Sequence, residues 1–155
     1  MATMLDVATA DAIAARVNCY GIGEWMKALF HQLDENVPES LANERVTVEM
    51  PRHGLSLVLY RRDAIGGPNG IVLDRAQFDG RPCSLPFALD ATTTTPAIAR
   101  TKLSTDTVRS GQRTSYFLDD GRVVELTFQP NDRGITRVLV ARLGPAMLWT
   151  DSVSP

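Results

Sequence analysis

The sequence predicts an α+β protein: an N-terminal helical pair, then two antiparallel three-stranded segments separated by a short helix, in the order ααβββαβββ. Three observations carry this expectation. Apolar residues recur at helical spacing before Leu33, they alternate with polar residues from Arg45 onward, and glycine- and proline-rich clusters punctuate the alternation. Hairpin-linked strands with segregated helices argue for an antiparallel α+β sandwich and against a doubly wound parallel sheet.

The first helix is expected over Thr9 to Asn18, with Ile13 and Val17 one turn apart and Thr9 or Asp11 near its start. Cys19-Tyr20-Gly21-Ile22-Gly23 breaks it. Glu24 to Leu33 restarts with the apolar stripe Trp25, Leu29, Phe30 and Leu33, and Glu24 suits the positive end of the helix dipole.

Pro38 to Asn43 reads as a loop. Val46 and Val48 then share one strand face, and after the turn Pro51-Arg52-His53-Gly54 so do Leu55, Leu57 and Leu59, which makes a hairpin. Asp63 to Gly70 holds the strongest breaker in the chain, Gly66-Gly67-Pro68-Asn69-Gly70, and Ile71 opens a third strand running toward Phe78. Leu85 to Leu89 reads as extended and apolar. Thr95-Pro96 is an N-cap and first-turn pair, opening a short helix whose Ile98, Ala99, Lys102 and Leu103 can lie on a sheet. Three strands follow, Thr114 to Leu118, Val123 to Gln129 and Ile135 to Leu143, before Gly144-Pro145; in the tail, Leu148 and Trp149 are the residues able to dock. The alternation assigns Leu57, Leu59, Ile71, Leu73, Leu126, Phe128, Val138 and Val140 to one core. The β-rich halves on either side of the Thr-rich helix share a loose plan without an exact repeat.

With 155 residues, 44% hydrophobic and 22% charged, one globular domain spanning 1–155 is expected. No apolar run reaches membrane-spanning length, and the N-terminus lacks the basic start and apolar core of a secretion signal, so the expected address is the cytoplasm. Cys19 and Cys83 read as buried or half-buried thiols. The net charge of −2 hides a skew, because the first fifty residues hold eight carboxylates against Arg16, Lys27 and Arg45. A nucleic-acid binder shows the opposite excess. The arginines, Arg61-Arg62 included, are not interleaved with aromatics as in single-strand binders.

No chemistry assembles along the chain. His31, three residues before Asp34, reads as a polar-face residue near a helix C-terminus, and His53 as a solvated turn residue. Asp119-Asp120 occupies a turn ending in Gly121, where aspartate is favoured for conformation alone. The glycine cluster at 66–70 lacks the Gly-Lys-Ser/Thr ending and following helix of a phosphate loop. The expectation is therefore no catalytic residue, no metal and no cofactor. Glu35, Glu39, Glu44 and Glu49 are the candidate contact residues, an acidic series suited to steering a basic partner.

Phe78-x-Gly80, Leu85-Pro86-Phe87-x-Leu89, the Thr95-capped helix ending at Lys102-Leu103, Tyr116, Val124-x-Leu126-x-Phe128 and the last strand together resemble small bacterial immunity proteins. These are similar to the immunity partners of pyocins, contact-dependent inhibition toxins and type VI or Rhs effectors. The resemblance spans about residues 54 to 143. It departs after the helix, where Leu103-Ser104-Thr105-Asp106 stands in place of Leu-Gly-x-Pro. It implies a cytoplasmic, non-catalytic toxin inhibitor, a monomer or weak homodimer, whose partner is a cognate toxin domain, a basic nuclease being one candidate. The alternative is a type III secretion-type chaperone, which dimerises through a helix and binds an extended effector segment.

Overall fold

The computed structural model describes residues 5–19, 22–36, 45–61, 71–80 and 84–142. They form three helices and one antiparallel sheet of seven strands in the order β1-β2-β3-β7-β6-β5-β4. The expected α+β class holds, with the second segment four-stranded instead of three. The loops expected at Pro38 to Asn43 and Asp63 to Gly70, together with Tyr20, Gly21, Cys83, Leu148 and Trp149, lie outside the described residues.

Helix α1 spans Val7–Ala15 and starts earlier than its apolar spacing suggests. Its cap is Asp6, whose Oδ1 accepts the Thr9 amide at 2.7 Å. The Thr9 hydrogen bonds hold the Asp6 carboxyl below the usual aspartate range. Ala10, Ile13 and Ala14 form the buried side of α1, which closes at Ala15 with Arg16 as its C-cap, three residues before the expected end; Asn18 then enters the left-handed region (φ 61°) and its amide bonds the Leu73 carbonyl.

Helix α2, Gly23–Gln32, buries Met26, Leu29 and Phe30, with Leu33 buried just beyond it. Asp34 at φ 56° ends it in a Schellman arrangement: the Glu35 amide bonds the Phe30 carbonyl and the Asp34 amide that of His31. This close fixes the direction in which Glu35 leaves the helix.

Strands β1 (Val46–Met50), β2 (Leu55–Arg61) and β3 (Ile71–Asp79) form one meander. Strands β4 (Thr107–Ser110), β5 (Arg113–Phe117), β6 (Arg122–Phe128) and β7 (Ile135–Arg142) form another. The last strands of the two meanders pair with each other, from Ala76 opposite Val140 to Asp79 opposite Arg137. The loose common plan of the two halves thus becomes an approximate two-fold arrangement within one sheet.

Because side chains alternate across a strand, the register sorts residues into two faces. Leu57, Leu59, Leu73, Leu126, Phe128, Val138 and Val140 join Ile13, Leu29, Phe30 and Leu33 in one core, so α1 and α2 lie on that face. Ile71, the eighth residue expected there, is buried but outside this cluster. Burying each large aliphatic side chain contributes roughly 1.5–3 kcal/mol.

Two expectations for the connection between β3 and β4 are corrected. Leu85 to Leu89 is not extended, because Phe87 and Ala88 both have positive φ and turn the chain back toward α1, where the Phe87 amide donates to Asp11 Oδ1 at 2.7 Å. Leu85 and Leu89 are buried on either side of that turn. Helix α3, Pro96–Lys102, is capped by the Thr95 hydroxyl as expected but seats Ala99 in the core and leaves Ile98 40% exposed. So short a helix brings only its smallest side chain against the sheet, and Leu103 adds a half-buried contact.

Candidate partner-binding surface

The residues with titratable chemistry are used to hold the fold. His53 is 1% exposed, not solvated as its place in a turn suggests, because Pro51–His53 forms a single 3-10 turn that tucks the ring beneath the end of α2. Its Nε2 lies 2.9 Å from the Leu33 carbonyl and 3.7 Å from Glu35 Oε2. Arg52 closes the cluster, donating to Glu35 Oε2 at 2.9 Å and to the Asp34 carbonyl at 2.7 Å. His31 is exposed in the last turn of α2. Cys19 is buried, as expected of a packing thiol, and burial pushes its pKa up against the opposing pull of Arg142, Arg122 and Arg16. Asp120 does what its turn requires, accepting from the Arg122 amide at 3.0 Å and from Arg122 Nε at 2.7 Å. Among the described residues no three His, Cys, Asp or Glu side chains gather as metal ligands would.

The four acidic candidates do not present themselves alike. Glu35 is tied to Arg52 and has a side chain only 19% exposed, whereas Glu49 is exposed on β1 with Ser56 as its register partner. Glu49 has the opposite parity to Met50, so it stands on the sheet face away from the helices. Glu39 and Glu44 lie outside the described residues.

That second face is the largest surface the fold leaves without a covering helix among the described residues. One rung crosses all seven strands: Val108, Ser115, Glu125, Leu139, Gln77, Ser56 and Glu49. Every one of these side chains is partly or fully exposed, Val108 to 61%. Two rungs away, Phe117, Val123 and Ala141 form a half-exposed apolar row. On the other side, Arg113 and Arg137 flank Thr127, both exposed and neither in an ion pair among the described residues. The face thus carries a half-exposed apolar row at one end and two arginines at the other, with the Ser115-Glu125-Leu139 rung between them. The alternation that defines the core also defines these residues. Reading only the apolar parity of each strand misses them.

The opposite end of the sheet is closed by the loop after β3. Gly80 donates to the Thr136 carbonyl, Ile135 to that of Ala91 and Gly134 to that of Thr94, so the loop follows the start of β7. Asp90 pins it: one carboxylate oxygen accepts from the Thr92 amide and hydroxyl and from the Thr93 amide, and these bonds lower its pKa to about 2. Beside this loop is an open depression of about 480 Å³ lined by Thr92, Gln129, Pro130, Asn131 and Arg133.

The apolar and turn positions from Phe78 to Phe128 form this framework. Phe78, Tyr116, Val124, Leu126 and Phe128 are buried to 1% exposure or less, and Gly80 lies where a Cβ would come within 2.4 Å of the Ile135 carbonyl oxygen. No family model, curated protein or solved structure matches the chain.

Proposed function

We propose that the protein is a non-catalytic immunity protein of the bacterial cytoplasm, which binds and neutralises a cognate secreted toxin through the open face of its sheet. The observation that supports this reading most is the contrast between the two faces. The helix-covered face buries the fold-defining residues, while the open face presents an apolar row at one end, Arg113 and Arg137 at the other, and Glu49 on its edge strand. The expected readout is protection: co-expression with the cognate toxin domain restores growth, and the purified pair forms a one-to-one complex in light scattering. Growth arrest despite soluble expression, with no complex, would reject the reading.

Glu49 gives a sharper handle than the full acidic series. Glu49→Lys is expected to slow association with a basic toxin and flatten its salt dependence, since opposite charge accelerates encounter and salt screens it over a Debye length of about 8 Å. The fold is untouched because Glu49 makes no ion pair among the described residues. Glu35→Lys instead loses the Arg52 contact, so it lowers stability as well. Identical association rates for wild type and Glu49→Lys at low and moderate salt would remove Glu49 from the interface.

A type III secretion-type chaperone is the second reading, favoured by the shallow groove between α1 and α2 lined by Ala8, Ala12, Trp25, Ala28 and Leu29. A symmetric dimer that buries this groove and binds an extended effector segment would select it.

A further inference from the structure

Arg122 and Arg142 are register partners on β6 and β7, and both keep the parity of the buried Val124 and Val140. The two arginines are therefore cross-strand neighbours at the rim of the helix-covered side, where like charges directly opposite repel, and the Arg122 guanidinium lies over the Phe87 ring at 5.4 Å. One carboxylate lies between them and serves only Arg122. Asp120 Oδ2 accepts from Arg122 Nε at 2.7 Å, while Arg142 Nη1 reaches only the backbone carbonyl of Asp120.

Helix capping explains part of this cluster. Arg122 Nη1 donates to the Ala14 carbonyl and Arg16 Nη1 to the Ala12 carbonyl, each at 3.1 Å, satisfying acceptors that the end of α1 leaves open. Capping accounts for nothing of Arg142, which lies against the Cys19 thiol, makes no ion pair among the described residues and has a buried Nε without a hydrogen-bond acceptor among them. Other carboxylates on neighbouring elements are committed: Asp11 to the Phe87 amide, Asp74 to Arg45 and Arg75. The turn is shaped to hold Arg142 in place. Gly121, at φ 90°, leaves open the space into which a Cβ would project to 3.3 Å from Arg142 Nη1. A half-exposed arginine fixed in this way, with a second as its cross-strand neighbour, presents unused planar donors, and these match the two oxygens of a carboxylate or phosphate.

We propose that Arg122 and Arg142 form a binding site for one oxyanion, a carboxylate or phosphate group, which bridges the two guanidiniums across the Asp120-Gly121 turn. The anion takes the donors that Asp120 and the end of α1 leave unused, and Arg16 adds positive potential from α1. This site is separate from the open sheet face and independent of the immunity reading. The test titrates ¹⁵N-labelled protein with inorganic phosphate and, separately, acetate, against sodium chloride at matched ionic strength. Saturable shifts at the amides of Asp120, Gly121, Arg122 and Arg142 are expected, with a raised Tm, and the tighter of the two anions identifies a phosphoryl or carboxylate ligand. Arg142→Gln should weaken binding at least tenfold, whereas Arg100→Gln, at an exposed position on α3, should leave it unchanged. Shifts no larger than those in chloride, or the same saturation in Arg142→Gln, would overturn the proposal. Should Arg142→Gln fail to fold, the wild-type map decides alone, and saturable shifts centred away from residues 120–122 and 142 reject the site.

Discussion

Gly80 shows how much one missing side chain can matter. Its Cβ position lies 2.4 Å from a backbone oxygen of β7, which cannot swing aside as a flexible side chain would. Gly80→Ala is therefore expected to cost about 1–3 kcal/mol, as overpacking does, read as a lower urea midpoint at unchanged slope. Asp90 makes the complementary point for a charge. Its folded pKa of about 2 lies below the unfolded value near 3.9, so its contribution is complete above about pH 4 and fades as pH falls through about 2. A carboxyl carbon titration should place its midpoint near 2, and Asp90→Asn should flatten the acid limb of the stability profile over that interval. An ordinary midpoint near 4 would show that the Thr92 and Thr93 bonds do not persist in solution. Neither property is legible in the sequence alone. For Gly80 the sequence lacks the position of β7, more than fifty residues further on, and for His53 it lacks the end of α2, about twenty residues earlier, whose Leu33 carbonyl meets the ring.

Elements with a strong period are legible, and those without one are not. β2, β6 and β7 each bury alternate residues and appear where the alternation puts them. β4 does not, because Thr107–Ser110 is an edge strand of exposed or half-exposed residues with no apolar rhythm. The start of α1 is displaced because Asp6, a residue before the apolar spacing begins, supplies the cap. Thr95 before Pro96 is the opposite case, a local signal that needs no tertiary context. Thr95→Ala should cost about 0.5–2 kcal/mol and Thr95→Gly only a few tenths, as expected where the hydroxyl is what caps the helix. Equal losses for both variants in chemical denaturation would show that packing at Thr95, and not its hydrogen bond, holds α3.

For the whole molecule, the pairing order predicts a gradient of local stability. β3 and β7 lie at the centre of the sheet, each paired on both sides, while β1 and β4 are its edges. Native-state hydrogen exchange should find the slowest amides in β3, β7 and β6 and the fastest strand amides in β4, since edge strands open without breaking the central ladders. Comparable protection of β4 and β7 would contradict the strand order. The candidate surface is half legible at this scale: the acidic bias of the first fifty residues draws attention to Glu35 and Glu49, but only the register separates the paired Glu35 from the exposed Glu49.

The two faces also differ in what mutation can do to them. On the helix-covered face a change at Phe78 or Leu126 must solve a packing problem before it can be tried on anything else. On the open face, replacing Glu49, Ser56, Ser115 or Val108 disturbs little that the fold depends on, and exposed substitutions of this kind usually stay within about 0.5 kcal/mol. Recognition can therefore drift without reopening the question of folding. In the proposed toxin-binding role, a lineage built on this sheet can follow a changing partner by rewriting one side of seven strands while the other side stays fixed.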